Sequence, residues 1–246
     1  MTSMSSESET ITTEIADGIH RISTYIQDGA PGGITFNQFV VMGDDPLLFH
    51  TGMRGMFPAV REGVAVAVDP SAIRWISSCH ASRPDEYGAL REWEALAPAA
   101  GTTHGQLGCF LCLSDMSNRP LRPLADGEVL DLGNRRLRWF DTPHVPGPWE
   151  AGVLFDDDTG TLFCGDLFGR TGPAAPMTTD DVSEAAIVHD QLMHGHAYTP
   201  NTGPTLRRLA ALEPQRLALM HGPTFCGDGA AQLHALADYF DSRLTC

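Results

Sequence analysis

The chain has 246 residues, 42% of them hydrophobic, and a formal net charge of −15 from 31 acidic against 16 basic side chains. That charge repels polyanions over most approaches, so neither nucleic acid nor an anionic membrane surface is expected as a partner. No apolar run reaches the ~18 residues a membrane span needs, and six scattered cysteines in a chain of this size suit a reducing, cytoplasmic location rather than a disulfide-stapled one.

Residues 1–12 are dominated by Ser, Thr and Glu and are expected to form a disordered tail, not a secretory signal, ahead of a single domain over residues 13–246. Short strand-like runs follow at residues 19–23, 35–42 and 46–50, with a Gly-rich turn at 28–33. Phe57, Val60, Val64 and Val68 recur at helical spacing. Residues 73–79 read as a strand that ends at His80, and 86–96 as a helix with Ala89, Leu90, Trp93 and Leu96 on one face. The apolar run 107–113 reads as a strand. It carries the only C-x-x-C, Cys109 and Cys112, which without a second pair suggests buried thiols and not a zinc ribbon. Strands are expected at 128–132, 136–141, 152–155 and 161–164, the last two joined by the turn D-D-D-T-G. A loop-rich stretch over 169–201 contains a helix at 181–193. A helix at 203–212 stopped by Pro214, a strand at 215–220 and an amphipathic helix at 228–244 close the chain. Strands alternate with helices throughout, which predicts an α/β fold of sheets covered by helices.

The chemistry lies in where His and Asp fall. Three apolar strands end in a titratable residue: I-S-S-C-H at His80, T-L-F-C-G-D at Asp166 and L-A-L-M-H-G at His221. A fourth, R-W-F-D-T-P-H, reaches His144 just past its end. Taken singly, each fits a satisfied histidine or a turn aspartate. Four together at strand ends place titratable groups along a sheet edge, where ligands converge.

The motifs H-T-G (50–52), H-A-S-R-P-D-E (80–86), T-P-H-V-P-G-P-W-E (142–150), L-F-C-G-D-L-F (162–168) and M-H-G (220–222) resemble the signature order of the metallo-β-lactamase superfamily. Within it the chain looks most like the oxygen-binding di-iron branch found in flavodiiron proteins. The resemblance implies a four-layer αββα sandwich with metals at the sheet edges. It implies that His80 and His144 bind a first metal, Asp85 and His221 a second, and that Asp166 bridges both. Two divalent ions are then expected, and imidazoles with carboxylates and no thiolate favour iron over zinc. Asp85 and Glu86 are the candidate catalytic residues. One departure stands out: the branch usually has H-x-E-x-D, whereas here Ser82 stands at the Glu position and one extra residue precedes Asp85. The first metal thus lacks its usual carboxylate, a gap left to water, substrate or Glu86. Glu86 also fits an N-terminal carboxylate on the helix that begins there.

Trp149 and Glu150 are close enough to His144 in sequence to fix its ring, whereas Cys79 and Cys164 alternate away from the ligands as core thiols. Asn37 and Thr51 read only as hydrogen-bonding residues. His189, His194 and His196 cluster in the loop-rich segment, which is expected to line or cover the pocket without binding metal. The expected function is redox chemistry on O2 or a related small molecule. With no G-x-G-x-x-G in a strand–helix setting, FMN is not expected in this chain, so electrons come from a separate donor protein. The alternatives are a zinc hydrolase of an ester, thioester or lactone, with Asp85 handling the water, and a metal-depleted sensor or binding protein. Self-association is left open.

Overall fold

The computed structural model describes residues 9–147 and 149–244. Seven strands form the first sheet in chain order: β1 (Thr10–Ala16), β2 (Ile19–Ile26), β3 (Ile34–Val41), β4 (Leu47–Phe49), β5 (Trp75–Ser77), β6 (Gly101–Gly105) and β7 (Leu121–Leu124). The first four pair antiparallel through short turns. From β4 onward the pairs are parallel, and each parallel step needs a crossover, here helical. Those crossovers hold α1 (Phe57–Ala67), then α2 (Pro84–Tyr87) with α3 (Leu90–Leu96), then α4 (Gln106–Gly108), a π-helical turn (Cys109–Leu113) and α5 (Ser114–Met116).

The second sheet takes β8 (Val129–Asp131), β9 (Arg136–Asp141), β10 (Gly152–Asp156), β11 (Thr161–Gly165), β12 (Met177–Thr178), β13 (Arg216–Leu219) and β14 (Thr224–Cys226). Its order is β12-β14-β13-β11-β10-β9-β8, with α6 (Ser183–Met193), α7 (Thr202–Ala210) and α8 (Gly229–Leu244) completing the chain.

Strand alternation decides the layers. Phe39, Val41, Leu47 and Phe49 face the second sheet and share a core with Trp139, Phe163 and Leu217, while Val40, Leu48 and Ile76 on the opposite face pack against Val60, Val64 and Trp93. Leu206, Leu236 and Phe240 of α7 and α8 belong to the core of the second sheet. Both sheets are therefore covered by helices on their outer faces, giving the αββα sandwich.

Residues 10–12, expected to belong to a tail, are strand instead. Strand β1 starts at Thr10, where alternating Thr and Ile pair in register with β2 (Thr10 opposite Thr24), because β-branched residues suit a pleated edge. Residues 1–8 lie outside the described residues. The run 107–113 is helical, not a strand. Continuous apolarity carries no period to separate the two, and the helical turn buries Cys109 and Leu113 four residues apart while Phe110 stays 77% exposed. The single helix expected over 86–96 is broken at Gly88 and Ala89, where the Ala89 N–H leaves the helical ladder for the Gly52 carbonyl at 3.0 Å. Strands β6, β7, β12 and β14 gave no readable alternation.

One glycine lets the two sheets meet. Gly165, at the end of β11, has φ +53°, and a Cβ there would lie 2.6 Å from the Cys79 sulfur. Only glycine adopts this conformation cheaply while allowing that approach. Asp166 follows Gly165 and His80 follows Cys79, so the contact brings two predicted ligands together from different sheets.

Candidate metal centre

Asp166 and His221 leave the ends of neighbouring parallel strands, β11 and β13, where Gly165 stands opposite Leu219. His221 is buried. Its Nδ1 donates to the Thr35 carbonyl at 2.9 Å, which turns Nε2 toward Asp166 Oδ1 at 3.2 Å and Asp85 Oδ2 at 3.6 Å. The Phe36 ring stands edge-on to the imidazole, centroids 5.1 Å apart, and fixes its plane. Asn37 anchors the turn that carries His221. Its Nδ2 donates to the carbonyls of Leu219 (2.7 Å) and Gly222 (2.8 Å), and Arg21, buried from β2, donates to the Gly222 carbonyl at 3.1 Å. Burial lowers the Arg21 pKa to about 10. Nothing in local spacing marked Arg21, because its partner is a backbone atom distant in sequence.

His80 is held differently. Its Nδ1 donates to Glu86 Oε1 at 2.6 Å and its main-chain N–H to Glu86 Oε2 at 2.7 Å. Nε2 donates to the Pro146 carbonyl. Glu86 is fully buried, also accepts from the Ser78 hydroxyl, and lies 3.7 Å from His50 Nε2. It is therefore neither a solvated helix cap nor a ligand facing the pocket. It is an internal carboxylate that orients His80. Thr51 secures it by donating from its N–H (2.6 Å) and hydroxyl (2.9 Å) to the Glu86 carbonyl.

Burial opposes charge on all these groups, and mutual attraction overrides it. For His80, desolvation is outweighed by the charge and hydrogen bond of Glu86, raising the pKa to about 9, while Glu86 falls to about 2 against its own burial. For His221, desolvation is outweighed by hydrogen bonds to Asp166 and Asp85, raising the pKa to about 10. Asp166 overcomes its burial through His221, Arg83 and His80 and sits well below the usual carboxylate range.

Two clusters near the predicted ligands bring possible metal-binding atoms within 4.8 Å of one another: Asp85, Asp166 and His221, and His80, Glu86 and Asp166. The first suits an ion. Three donors converge, with His221 Nε2 3.2 Å from Asp166 Oδ1 and 3.6 Å from Asp85 Oδ2. In the second, both His80 nitrogens and both Glu86 oxygens are engaged, and the Arg83 guanidinium pairs with Asp166 Oδ2. This half does not suit an ion.

His144, expected beside His80, joins none of the clusters. It has φ +66°, is partly exposed, and its Nδ1 accepts the Trp149 N–H at 2.9 Å. Trp149 thus contacts His144 as expected, but Glu150 does not. Its carboxylate accepts from Ala81 N–H (2.7 Å) and His104 Nε2 (2.9 Å). Ser82 is exposed. Cys79 and Cys164 are buried, and burial pushes both thiols up.

A cavity of about 310 Å³ opens over the Asp85–Asp166–His221 cluster, walled by Ile34, Phe36 and Met193 and by His189 and His196. The Nε2 atoms of both histidines are buried without hydrogen-bond partners among the described residues. His189, from α6, and His196, just beyond it, thus line the pocket, as expected of this segment, whereas His194 only ends α6 in a left-handed conformation.

A family model described as ODP family beta lactamase matches residues 34–222. The chain belongs to that family. This ODP-family chain is 31% identical over 205 residues to a Nostoc sp. protein described as diflavin flavoprotein A 1, covering 80% of the chain and 35% of the relative. It is 25% identical to the rubredoxin-oxygen oxidoreductase of Megalodesulfovibrio gigas, covering 87% of the chain and 57% of the relative. A flavo di-iron protein variant from Thermotoga maritima shares the fold at a TM-score of 0.83 and 18% identity, covering 95% of the chain and 62% of that structure. The ODP-family chain therefore spans between about a third and three fifths of the length of these relatives. No helix among the described residues is long and apolar enough to cross a membrane.

Proposed function

We propose that the chain is a redox domain that holds iron at Asp85, Asp166 and His221 and acts on O2 or a related small molecule, with electrons delivered by a donor outside this chain. The observation that carries this reading is the convergence of two carboxylates and one imidazole on the wall of the cavity. Such a donor set, with no thiolate, suits iron. Bound iron would supply one-electron chemistry toward O2. The names of two relatives, a rubredoxin-oxygen oxidoreductase and a coenzyme F420H2 oxidase, point the same way.

The chain's own residues divide the work. Thr35 fixes the His221 tautomer so that Nε2 faces the carboxylates. Asp166 and Asp85 supply the negative charge that draws a cation. Ile34, Phe36 and Met193 make the cavity apolar enough for a neutral diatomic, and His189 and His196 bring unpartnered Nε2 atoms to its wall, where they can donate or accept a proton.

The test is anaerobic loading with Fe(II) followed by rapid mixing with O2. Oxidation faster than that of free Fe(II), lost in Asp166→Asn and His221→Ala, is expected. Iron bound but inert to O2, or iron refused while zinc is retained and an ester is turned over, would overturn the reading.

A further inference from the structure

We infer that Arg83 occupies the place of a second metal ion, so that this domain binds one ion, at Asp85, Asp166 and His221, and not two. The inference rests on the metal reading above and narrows it.

Asp166 is the pivot. One oxygen, Oδ1, faces His221 Nε2 at 3.2 Å, while the other, Oδ2, forms an ion pair with Arg83 Nη1. The carboxylate thus serves two cationic positions, one of them filled by a guanidinium from the chain itself. Gly147 locates that guanidinium relative to His80. A Cβ on Gly147 would lie 3.0 Å from Arg83 Nη2 and 3.0 Å from His80 Nε2, so both groups border one small space beside Asp166. Arg83 reaches it from the position just before α2, with its side chain 31% exposed.

The other donors of that half are committed elsewhere. Both His80 nitrogens lie against acceptor oxygens of the chain, those of the Glu86 carboxylate and the Pro146 carbonyl, and neither faces open space. Glu86 accepts from Ser78 and twice from His80. His144 has its Nδ1 taken by Trp149, and Ser82 points to solvent. A divalent ion arriving there would meet the Arg83 guanidinium and a single Asp166 oxygen already paired with it, which is repulsive without compensation. Arginine suits this role because it stays protonated and grips a carboxylate directionally.

The test counts ions in the protein as it stands. Anaerobic titration with Fe(II), and separately with Zn(II), followed by gel filtration and elemental analysis, should give one ion per chain. The iron form should show an isolated high-spin ferric signal after oxidation. Two irons per chain with a spin-coupled mixed-valence signal on partial reduction would overturn the inference and leave the metal reading intact. No ion of either kind would defeat the metal reading, and this inference with it. The paired substitution Arg83→Met with Ser82→Glu should raise the count from one to two, while Arg83→Lys should keep it at one. A folded double variant that still holds one ion would show that Arg83 is not what excludes the second.

Discussion

Glu86 grips His80 at two points, accepting the main-chain N–H at 2.7 Å and the ring Nδ1 at 2.6 Å, with both residues buried. A buried ion pair adds little net stability, yet removing one partner strands the other charge and costs about 3–5 kcal/mol. Glu86→Gln should destabilise the domain by that amount in urea unfolding, and Glu86→Gln with His80→Gln by less than the sum of the single variants. Strict additivity would mean that the two side chains do not act as a pair.

Gly165 should tolerate no side chain. A Cβ would meet the Cys79 sulfur at 2.6 Å in a backbone conformation that disfavours L-residues. Overpacking of this kind costs about 1–3 kcal/mol, so Gly165→Ala should lower the melting temperature and weaken Zn(II) binding, because Asp166 is the next residue. An unchanged melting temperature would mean that the sheets can separate there without penalty.

Asn37 holds two carbonyls of the turn carrying His221. Asn37→Ala leaves both without that donor and should cost about 1–3 kcal/mol. Metal affinity should fall with it, although Asn37 offers the ion nothing. Isothermal titration alongside unfolding would separate the two effects, and an intact affinity would show that β13 alone positions His221.

Metal binding should release protons. Hydrogen bonds to Asp166 and Asp85 raise His221 to about pKa 10 against its burial, so an ion taking Nε2 must displace a proton at pH 7. Affinity for Zn(II) should rise about tenfold per pH unit from 6 to 8, with a proton released that calorimetry in buffers of different ionisation enthalpy would count. A flat profile would place the ion elsewhere.

Asp190 predicts acid sensitivity in the wall of the cavity. It is buried and accepts from Tyr198 Oη (2.5 Å), His196 Nδ1 (2.8 Å) and Tyr239 Oη (3.2 Å). Burial favours its neutral form, but these hydrogen bonds and the charge of His196 prevail and lower its pKa. A depressed carboxylate contributes stability fully present above its unfolded value of about 3.9 and lost as pH falls through the folded value. Asp190→Asn should therefore flatten the stability–pH curve below about pH 4 and leave its shape unchanged near neutrality.

The sequence made the strand-borne candidate donors legible for a physical reason. An apolar run ending in Asp166 or His221 states both the strand and the edge where the side chain emerges, and the order of strands along the chain implied the layered sandwich. What stayed hidden depends on distant partners. Glu86 reads as a helix-start acid until Ser78, His50 and His80 close around it. Arg83 looks like a surface loop residue until Asp166 arrives from another sheet. His144 shared the strand-end signal, but its loop turns it toward Trp149. The run around Phe110 misled because uniform apolarity has no period.

The three donors of the favoured cluster are not mounted alike. Asp166 and His221 ride on hydrogen-bonded neighbours, β11 and β13, whereas Asp85 sits in the one-turn helix α2, carried by the loop that follows β5. Strand ends are fixed by the whole sheet, while a loop can change length without disturbing the core. The segment 81–84 is therefore the part of the site least constrained by the sheets. A residue gained or lost there would re-space Asp85 against a stationary pair and move Arg83 with it, so the charge balance of the centre can be reset while the strands that frame it stay in place.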